Sequence, residues 1–186
     1  MSILIHTESS YRFKRLVAGF SFLELIVVII IISILLSFAI GRLLSLQVDA
    51  ERVAMETVAG TLRSAIGIKV AETIVRQEIR ELSALEYSNP MDRLAEVPAN
   101  YLGALDHPDP RTLEDGNWYF DKRDNVLVYL VRNKGFFEGG MQDPARARFT
   151  IRLVYTDRNG NGRYDTGIDS VEGLKLAVVE PYRWVK

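Results

Sequence analysis

Oxygen-bearing side chains recur at alternate positions in one short segment of the chain. The segment runs from Asp157 through Asn159 and Asn161 to Asp165. Counted from Asp157, these side chains stand at positions 1, 3, 5 and 9, and Gly162 stands at position 6. Calcium takes about six to eight oxygen ligands, and alternating carboxylates and amides around a glycine turn supply them. The pattern therefore predicts a calcium site.

The second half of this loop departs from the usual calcium-binding pattern. The spacing matches the first three quarters of an EF-hand loop, but position 12, normally a bidentate Glu, is Ile168. Asp169 follows one residue later. An Asn-Gly-rich hairpin that turns without any metal is the alternative interpretation. The predicted calcium ligands are Asp157, Asn159, Asn161, Asp165 and Asp169, with the backbone carbonyl of Arg163.

A second chemical feature is a lone carboxylate near the start of an apolar run. From Phe20 to Ile40, Glu24 is the only charged residue. As a helix with a rise of about 1.5 Å per residue, this run is roughly 31 Å long, about the hydrocarbon thickness of a bilayer. A charge there costs on the order of 2.5–3.5 kcal/mol at the bilayer centre and less near its edge. Either Glu24 has a function, or it lies at headgroup depth and reaches water.

The sequence before the run predicts a membrane anchor that signal peptidase leaves uncut. Arg12, Lys14 and Arg15 precede the run against one acid, Glu8. A basic flank of this kind holds its end of the helix in the cytoplasm. The run is also longer than the apolar region of about 7–15 residues in a secretory signal.

These features together resemble a known processing signal. The segment GFSFLE from Gly19 to Glu24, with its basic leader and the aliphatic residues that follow, resembles the class III signal of type IV prepilins and of type II secretion pseudopilins. In that family a membrane peptidase cuts after the Gly and methylates the new amino terminus. The resemblance implies cleavage between Gly19 and Phe20, N-methylation of Phe20, and an assembly role for Glu24. Because a carboxylate can neutralise an amine in a low-dielectric setting, Glu24 is expected to pair with the Phe20 amine of a neighbouring subunit.

The resemblance also implies a division of the chain, a location and a set of partners. Residues 1–19 are the cleaved leader, 20–41 the transmembrane and assembly half of a helix, and 42–186 a periplasmic globular domain. The expected location is the bacterial inner membrane, crossed once with the N-terminus in the cytoplasm, and then a periplasmic or surface filament. The expected partners are other pilin or pseudopilin subunits, the prepilin peptidase, the inner-membrane assembly platform and the lipid bilayer.

The elements that position these sites are predicted by periodicity and turn residues. The helix is expected to continue without proline to about Leu85. A proline-punctuated connector over 86–116 and a sheet over 117–186 follow. The predicted fold is α+β and pilin-like, with the long helix packed against a small antiparallel sheet of three to four strands. The predicted buried stripe of the helix comprises Val58, Leu62, Ala65, Ile68, Ala71, Val75, Ile79 and Leu82.

Two further segments of the sheet region carry specific expectations. Strands over 118–120 and 126–131 are predicted to form a hairpin around the polar loop from Asp121 to Asn125. In the loop from Gly135 to Ala147, the side chains of Phe136, Phe137 and Met141 either contact a partner or cover the edge of the sheet.

Composition excludes several classes of function. The net charge is −1 without a basic patch, so no nucleic-acid partner is predicted. There is no cysteine, so no disulfide staples the C-terminal region. The two histidines, His6 and His107, belong to no nucleophile–base motif, and we predict that the chain is not an enzyme. The resemblance implies a minor pilin or pseudopilin; the alternative is a signal-anchored periplasmic domain for calcium-dependent binding or adhesion that does not polymerise.

Overall fold

A computed structural model describes residues 19–141 and 143–185, which include Gly19 but not the rest of the predicted leader. The chain divides into two compact units between Leu43 and Leu44. The first helix, α1, runs over Phe22–Val75 and has residues in both units. In the first unit, every described residue is exposed.

The second unit contains a mixed five-stranded sheet and a separate two-stranded one. The larger sheet has the order β1-β2-β3-β5-β6, and β4 pairs with β7 in the smaller one. The strands are β1 Tyr101–Leu105, β2 Trp118–Asp121, β3 Val126–Leu130, β4 Phe137–Gly139, β5 Arg146–Thr156, β6 Ser170–Val178 and β7 Tyr182–Trp184. Short 3-10 helices cover Ile79–Leu85, Pro90–Arg93, Pro110–Thr112 and Lys134–Phe136.

The predicted α+β, pilin-like class is confirmed, although the main sheet has more strands than the three to four predicted. The additional strand is β1, which lies inside the predicted connector and pairs with β2 in parallel. The other pairs of the main sheet are antiparallel. The β1 sequence is short and contains Gly103 at a φ of 95°, so it predicts a strand only weakly. Pairing with β2 is what makes this segment a strand.

The predicted hairpin is confirmed at β2 and β3. Trp118 pairs with Tyr129, and Asp121 pairs with Val126 at the turn. The Asp121 carboxylate accepts hydrogen bonds from the backbone N–H groups of Arg123 and Asp124 at 2.9 and 3.2 Å. This local side-chain to backbone bonding is what makes the polar loop a turn.

The core lies between one face of the main sheet and the second half of α1. Trp118 lies 4.9 Å from the Tyr129 ring and 5.7 Å from the Phe149 ring, measured between centroids. The helix contributes Met55, Leu62 and Ile66 to this cluster, and all are buried. The opposite face of β2 and β3 is covered as well: Tyr119, Val126, Val128 and Leu130 pack with Leu105 and Leu113.

The predicted buried stripe of α1 is only partly correct. Leu62 is fully buried, but Ile68 is 62% exposed and Val75 is 83% exposed. Between residues 66 and 75 aliphatic side chains occupy both faces of the helix, so periodicity alone cannot select the face that meets the sheet. The buried residues of α1 are Val48, Met55, Ala59, Leu62, Ile66 and Thr73.

The α-helix also ends earlier than predicted, at Val75 instead of about Leu85. Glu78 donates its backbone N–H to the Thr73 carbonyl at 2.9 Å, and Gln77 donates to the Ile74 carbonyl at 3.0 Å. This pair of bonds is a Schellman motif, with Gln77 at a φ of 63° in the position that glycine usually takes. Because the sequence shows no glycine or proline there, it contains no ordinary stop signal.

The loop after β3 folds back over the edge of the core. Phe137 is buried, with its ring 5.5 Å from that of Tyr182 and 5.2 Å from that of Trp184. Phe136 stays 38% exposed. Of the two alternatives for this loop, Phe137 therefore covers the sheet.

One side-chain carboxylate ties α1 to the end of β3. Glu51 accepts hydrogen bonds from the Tyr129 hydroxyl at 3.0 Å and from the backbone N–H groups of Arg132 and Asn133 at 2.6 and 2.9 Å. The Asn133 side-chain amide donates a fourth bond at 2.6 Å. Burial is the main reason that the pKa of Tyr129 is raised, with the neighbouring Glu51 charge adding to the effect, so its hydroxyl remains a donor.

We expect Glu51→Ala to lower the free energy of unfolding of residues 45–186 by about 2–3 kcal/mol, because four donors lose a charged acceptor. Urea denaturation measures this loss. The matched control is Glu56→Ala, which removes an exposed carboxylate paired with Arg52 one helical turn away and should cost under about 0.5 kcal/mol. A loss no larger than that of the control would contradict the structural role of Glu51.

Candidate functional site

The predicted cleavage site lies immediately before α1. Gly19 and Phe20 are exposed and lie outside the helix, which begins at Phe22. Ser21 caps the helix: its hydroxyl oxygen accepts from the backbone N–H of Glu24 at 3.2 Å, and its carbonyl accepts from Leu25 at 3.1 Å. The bond between Gly19 and Phe20 is therefore part of non-helical, accessible backbone.

Glu24 lies in the first turn of α1, where the structure shows a local feature that the sequence analysis missed. Ser21 and Glu24 have the spacing of a capping box, and the Ser21 half of that motif is formed. A carboxylate in the first turn also interacts favourably with the positive end of the helix dipole. The Ser-x-x-Glu spacing is visible in the sequence, so this signal was available there.

The helix that follows is suited to a membrane by length and composition. Among the described residues, α1 is the one helix long and apolar enough to cross a bilayer, and its most apolar window has no residue buried by the protein. Phe22, Leu35 and Phe38 are examples of its large exposed side chains. An apolar surface of this extent requires a lipid or protein environment.

The predicted calcium loop joins β5 to β6, and three of its side chains converge. The side-chain amides of Asn159 and Asn161 both donate to the same Asp165 oxygen, Oδ2, at 2.7 and 2.5 Å. The Asn159 Oδ1 atom accepts from the backbone of Asn161, and the Asn161 Oδ1 atom accepts from that of Arg163. Positions 3, 5 and 9 of the loop therefore meet at one point.

The two carboxylates at the ends of the loop bind backbone N–H groups. Asp157 accepts from Gly160 and Gly162, each at 2.7 Å, while Asp169 accepts from Arg158 at 2.9 Å and from Asp165 at 2.7 Å. The bond from Gly162 is the main reason that the pKa of Asp157 is lowered. Because the carboxyl pKa is lower in the folded loop, ionisation of Asp157 stabilises the folded loop at every pH above the ordinary carboxyl pKa. This contribution is lost as the pH falls through the lowered pKa.

The donor chemistry of this loop fits a hard cation. Its convergent side chains are carboxylates and amides, which are the oxygen ligands that calcium takes. To coordinate a cation through oxygen, the side-chain amides of Asn159 and Asn161 would have to turn, because both now direct their nitrogens at Asp165. Asp169 is next to this group, since its Oδ2 atom accepts a hydrogen bond from the backbone N–H of Asp165. The Ile168 side chain at position 12 is apolar and 51% exposed.

A second polar group, which the sequence analysis did not predict, lines a cavity of about 390 Å³ on the sheet. Among the described residues, His107, Asp121 and Asp124 form the one His/Cys/Asp/Glu group whose ligand atoms all lie within 4.8 Å of one another. His107 Nδ1 is 3.2 Å from Asp121 Oδ2, and Arg148 Nη1 is 3.7 Å from Asp124 Oδ2. The Asp121 carboxylate is already the acceptor of the hairpin turn, so its position has a structural explanation.

Burial raises the pKa of Tyr119, which lines the same cavity, to about 12. Its hydroxyl is therefore protonated at neutral pH and is no candidate nucleophile. The cavity brings together groups of both charge signs, and no substrate chemistry follows from that arrangement.

Comparison with known proteins identifies the N-terminal region. Residues 14–40 match the family described as the prokaryotic N-terminal methylation motif. No curated protein and no solved structure matched the chain. The matched residues include Gly19, Phe20 and Glu24 and extend well into the apolar part of α1. The apolar helix and the motif together suggest a membrane-anchored chain, and the matched segment is consistent with the class III signal of prepilin-like proteins.

Proposed function

We propose that the chain is a structural subunit, a minor pilin or a pseudopilin, of a type IV pilus or a type II secretion filament. The observation that carries this proposal is the match of residues 14–40 to the methylation motif, at the start of a helix whose apolar surface is exposed. A filament of like helices is one environment that covers such a surface. The other expected contact of this helix is the lipid bilayer, before assembly.

Prepilin peptidase is the proposed processing enzyme. It cuts between Gly19 and Phe20 and then methylates the Phe20 amine. The exposed, non-helical backbone at this bond supports the proposal, because a protease needs access to the bond it cuts. The basic leader holds this end on the cytoplasmic side of the inner membrane. In this proposal the chain is a substrate of processing enzymes and not itself a catalyst.

Glu24 is the proposed register residue of the filament. Cleavage creates an amine at Phe20, close in sequence to the first turn of α1. In an apolar environment the Glu24 carboxylate of one subunit pairs with the Phe20 amine of the next, since each charge would otherwise be unpaired. The inner-membrane assembly platform and other pilin or pseudopilin subunits are the partners of this step.

The mature amino terminus tests the proposal directly. Mass spectrometry of the chain purified from its native membrane should find N-methyl-Phe20 as the first residue. Retention of Met1 would contradict processing and favour the alternative, a signal-anchored periplasmic domain for calcium-dependent binding or adhesion. A Gly19→Ala variant is the matched control, because it changes the residue at the cut and should accumulate uncut.

Substitution of Glu24 separates assembly from processing. Glu24→Ala should still be cut and methylated, but its recovery in sheared filaments or in cross-linked subunit complexes should fall by roughly tenfold or more, the equivalent of about 1.4 kcal/mol per contact. Glu56→Ala, an exposed carboxylate in the second unit, provides the control. Normal incorporation of Glu24→Ala would refute the register role while leaving the processing assignment intact.

We also propose that the loop from Asp157 to Asp169 binds Ca²⁺. The specific observation in favour is the convergence of Asn159, Asn161 and Asp165 on one point. These three residues, with Asp157, Asp169 and the Arg163 carbonyl, would hold the ion. A bound cation would staple the β5–β6 loop, which has no disulfide.

Calcium at about 100 times its Kd should raise the melting temperature of residues 45–186 by roughly 9 °C, because it adds about 2.7 kcal/mol against an unfolding entropy of about 2.1 cal/mol/K per residue. EGTA should reverse the shift, and Asp157→Ala should abolish it. Asp143→Ala, which removes an exposed carboxylate paired with Arg111, should leave the shift unchanged. A melting temperature that neither calcium nor EGTA moves would exclude the site.

A further inference from the structure

The β5–β6 loop contains two Asn-Gly pairs, Asn159-Gly160 and Asn161-Gly162. Asparagine is a thermolabile residue. In an Asn-Gly pair the glycine nitrogen can attack the side-chain carbonyl carbon Cγ of the asparagine, because glycine has no Cβ to hinder the approach. Both asparagines are exposed, so water reaches them freely. By its sequence alone, this loop should react readily.

In the structure, the N–H group of the attacking nitrogen in each pair donates a hydrogen bond to Asp157. The Gly160 N–H donates to Asp157 Oδ1 and the Gly162 N–H donates to Asp157 Oδ2, both at 2.7 Å. Hydrogen bonds to a charged acceptor are about twice as strong as neutral ones. Each glycine nitrogen must lose its proton to attack. In the folded loop, the Asp157 carboxylate accepts a hydrogen bond from both of these N–H groups.

The asparagine side chains are also fixed. Each one donates its amide nitrogen, the leaving group, to Asp165 Oδ2. Each one accepts a backbone N–H through Oδ1, from Asn161 at 3.1 Å and from Arg163 at 2.8 Å. Each asparagine side chain must therefore break both of these hydrogen bonds before it can rotate and bring Cγ toward the glycine nitrogen.

We propose that Asn159-Gly160 and Asn161-Gly162 form a paired site of spontaneous deamidation, which Asp157 keeps unreactive in the folded loop. The glycine nitrogen forms a bond to Cγ, the bond from Cγ to Nδ2 breaks, and ammonia leaves with the proton from the glycine nitrogen. Water then opens the five-membered imide. Attack at Cγ yields aspartate, and attack at the backbone carbonyl yields isoaspartate. The only co-reactant is water.

The products would change the loop in two different ways. Aspartate at position 159 or 161 adds a negative charge beside Asp157 and Asp165 without changing the length of the backbone. Isoaspartate adds one atom to the main chain and would disrupt the turn that the two glycines form with φ values of 71° and 75°. This inference does not depend on the filament proposal. It concerns the calcium-free loop, in which the Asn159 and Asn161 amides donate to Asp165.

The test compares deamidation rates in the full chain in detergent, at mildly alkaline pH and with EGTA present. Peptides spanning residues 157–165 are quantified over time by mass spectrometry, which detects replacement of the amide NH₂ by OH. The folded wild-type chain should react about tenfold or more slowly than the same chain in concentrated urea. Equal rates in the two states would overturn the proposal, and this comparison needs no variant.

Substitutions then assign the protection to one carboxylate. Asp157→Ala should raise the folded-state rate about tenfold, and Asp157→Asn, which keeps one acceptor oxygen but loses the charge, should give an intermediate rate. Asp143→Ala is the matched control and should react like the wild type. An Asp157→Ala rate no faster than the wild type, or an equal increase in Asp143→Ala, would overturn the role of Asp157.

Discussion

The four hydrogen bonds that converge on Glu51 set the position of α1 on the sheet. Their donors come from β3 and from the residues just after it, so they fix both the rotation of the helix and its position along its axis. The sequence pattern alone does not indicate the buried face, because aliphatic side chains are also exposed on the other face of the same helix at Ile68 and Val75. The polar contact adds a directional constraint to the apolar packing of Met55, Leu62 and Ile66 in the core.

The chemistry of this protein lies in two places whose geometry is local. At the N-terminal end, Ser21 caps α1 and leaves the bond between Gly19 and Phe20 in non-helical backbone. In the β5–β6 loop, Asp157 and Asp165 organise their neighbours through bonds between residues close in sequence. Both arrangements depend on short polar side chains that bond backbone within a few residues.

The contrast between local contacts and contacts distant in sequence explains which predictions from the sequence succeeded. The β2–β3 hairpin was predictable because its alternating apolar residues and the Asp121 turn are adjacent in the chain. The class III signal was predictable for the same reason, since GFSFLE is contiguous and is followed directly by the apolar run. The β1 strand was not predictable, because its parallel partner β2 lies beyond a loop and Gly103 weakens its own strand signal.

The end of α1 shows the same limit in another form. Gln77 takes a left-handed conformation that costs energy for a residue with a side chain, and the sequence contains no glycine to indicate it. The 3-10 helix Ile79–Leu85 that follows buries Leu82 in a cluster with Leu153 and Val171. Burial of Leu82 against these residues, which are distant in sequence, is a physical reason for the α-helix to end at Val75.

Taken alone, the sequence determined the features that depend on neighbours along the chain: the processing signal, the apolar anchor, the oxygen-rich loop and the α+β class. Only the tertiary structure decided which face of α1 is buried, that β1 joins the sheet, that Glu51 is a structural acceptor, and that one carboxylate holds both Asn-Gly pairs of the loop. The physical reason is that these outcomes depend on contacts or on hydrogen-bond directions in space. A one-dimensional pattern records which residues are present and how they are spaced, but not which donor each acceptor meets.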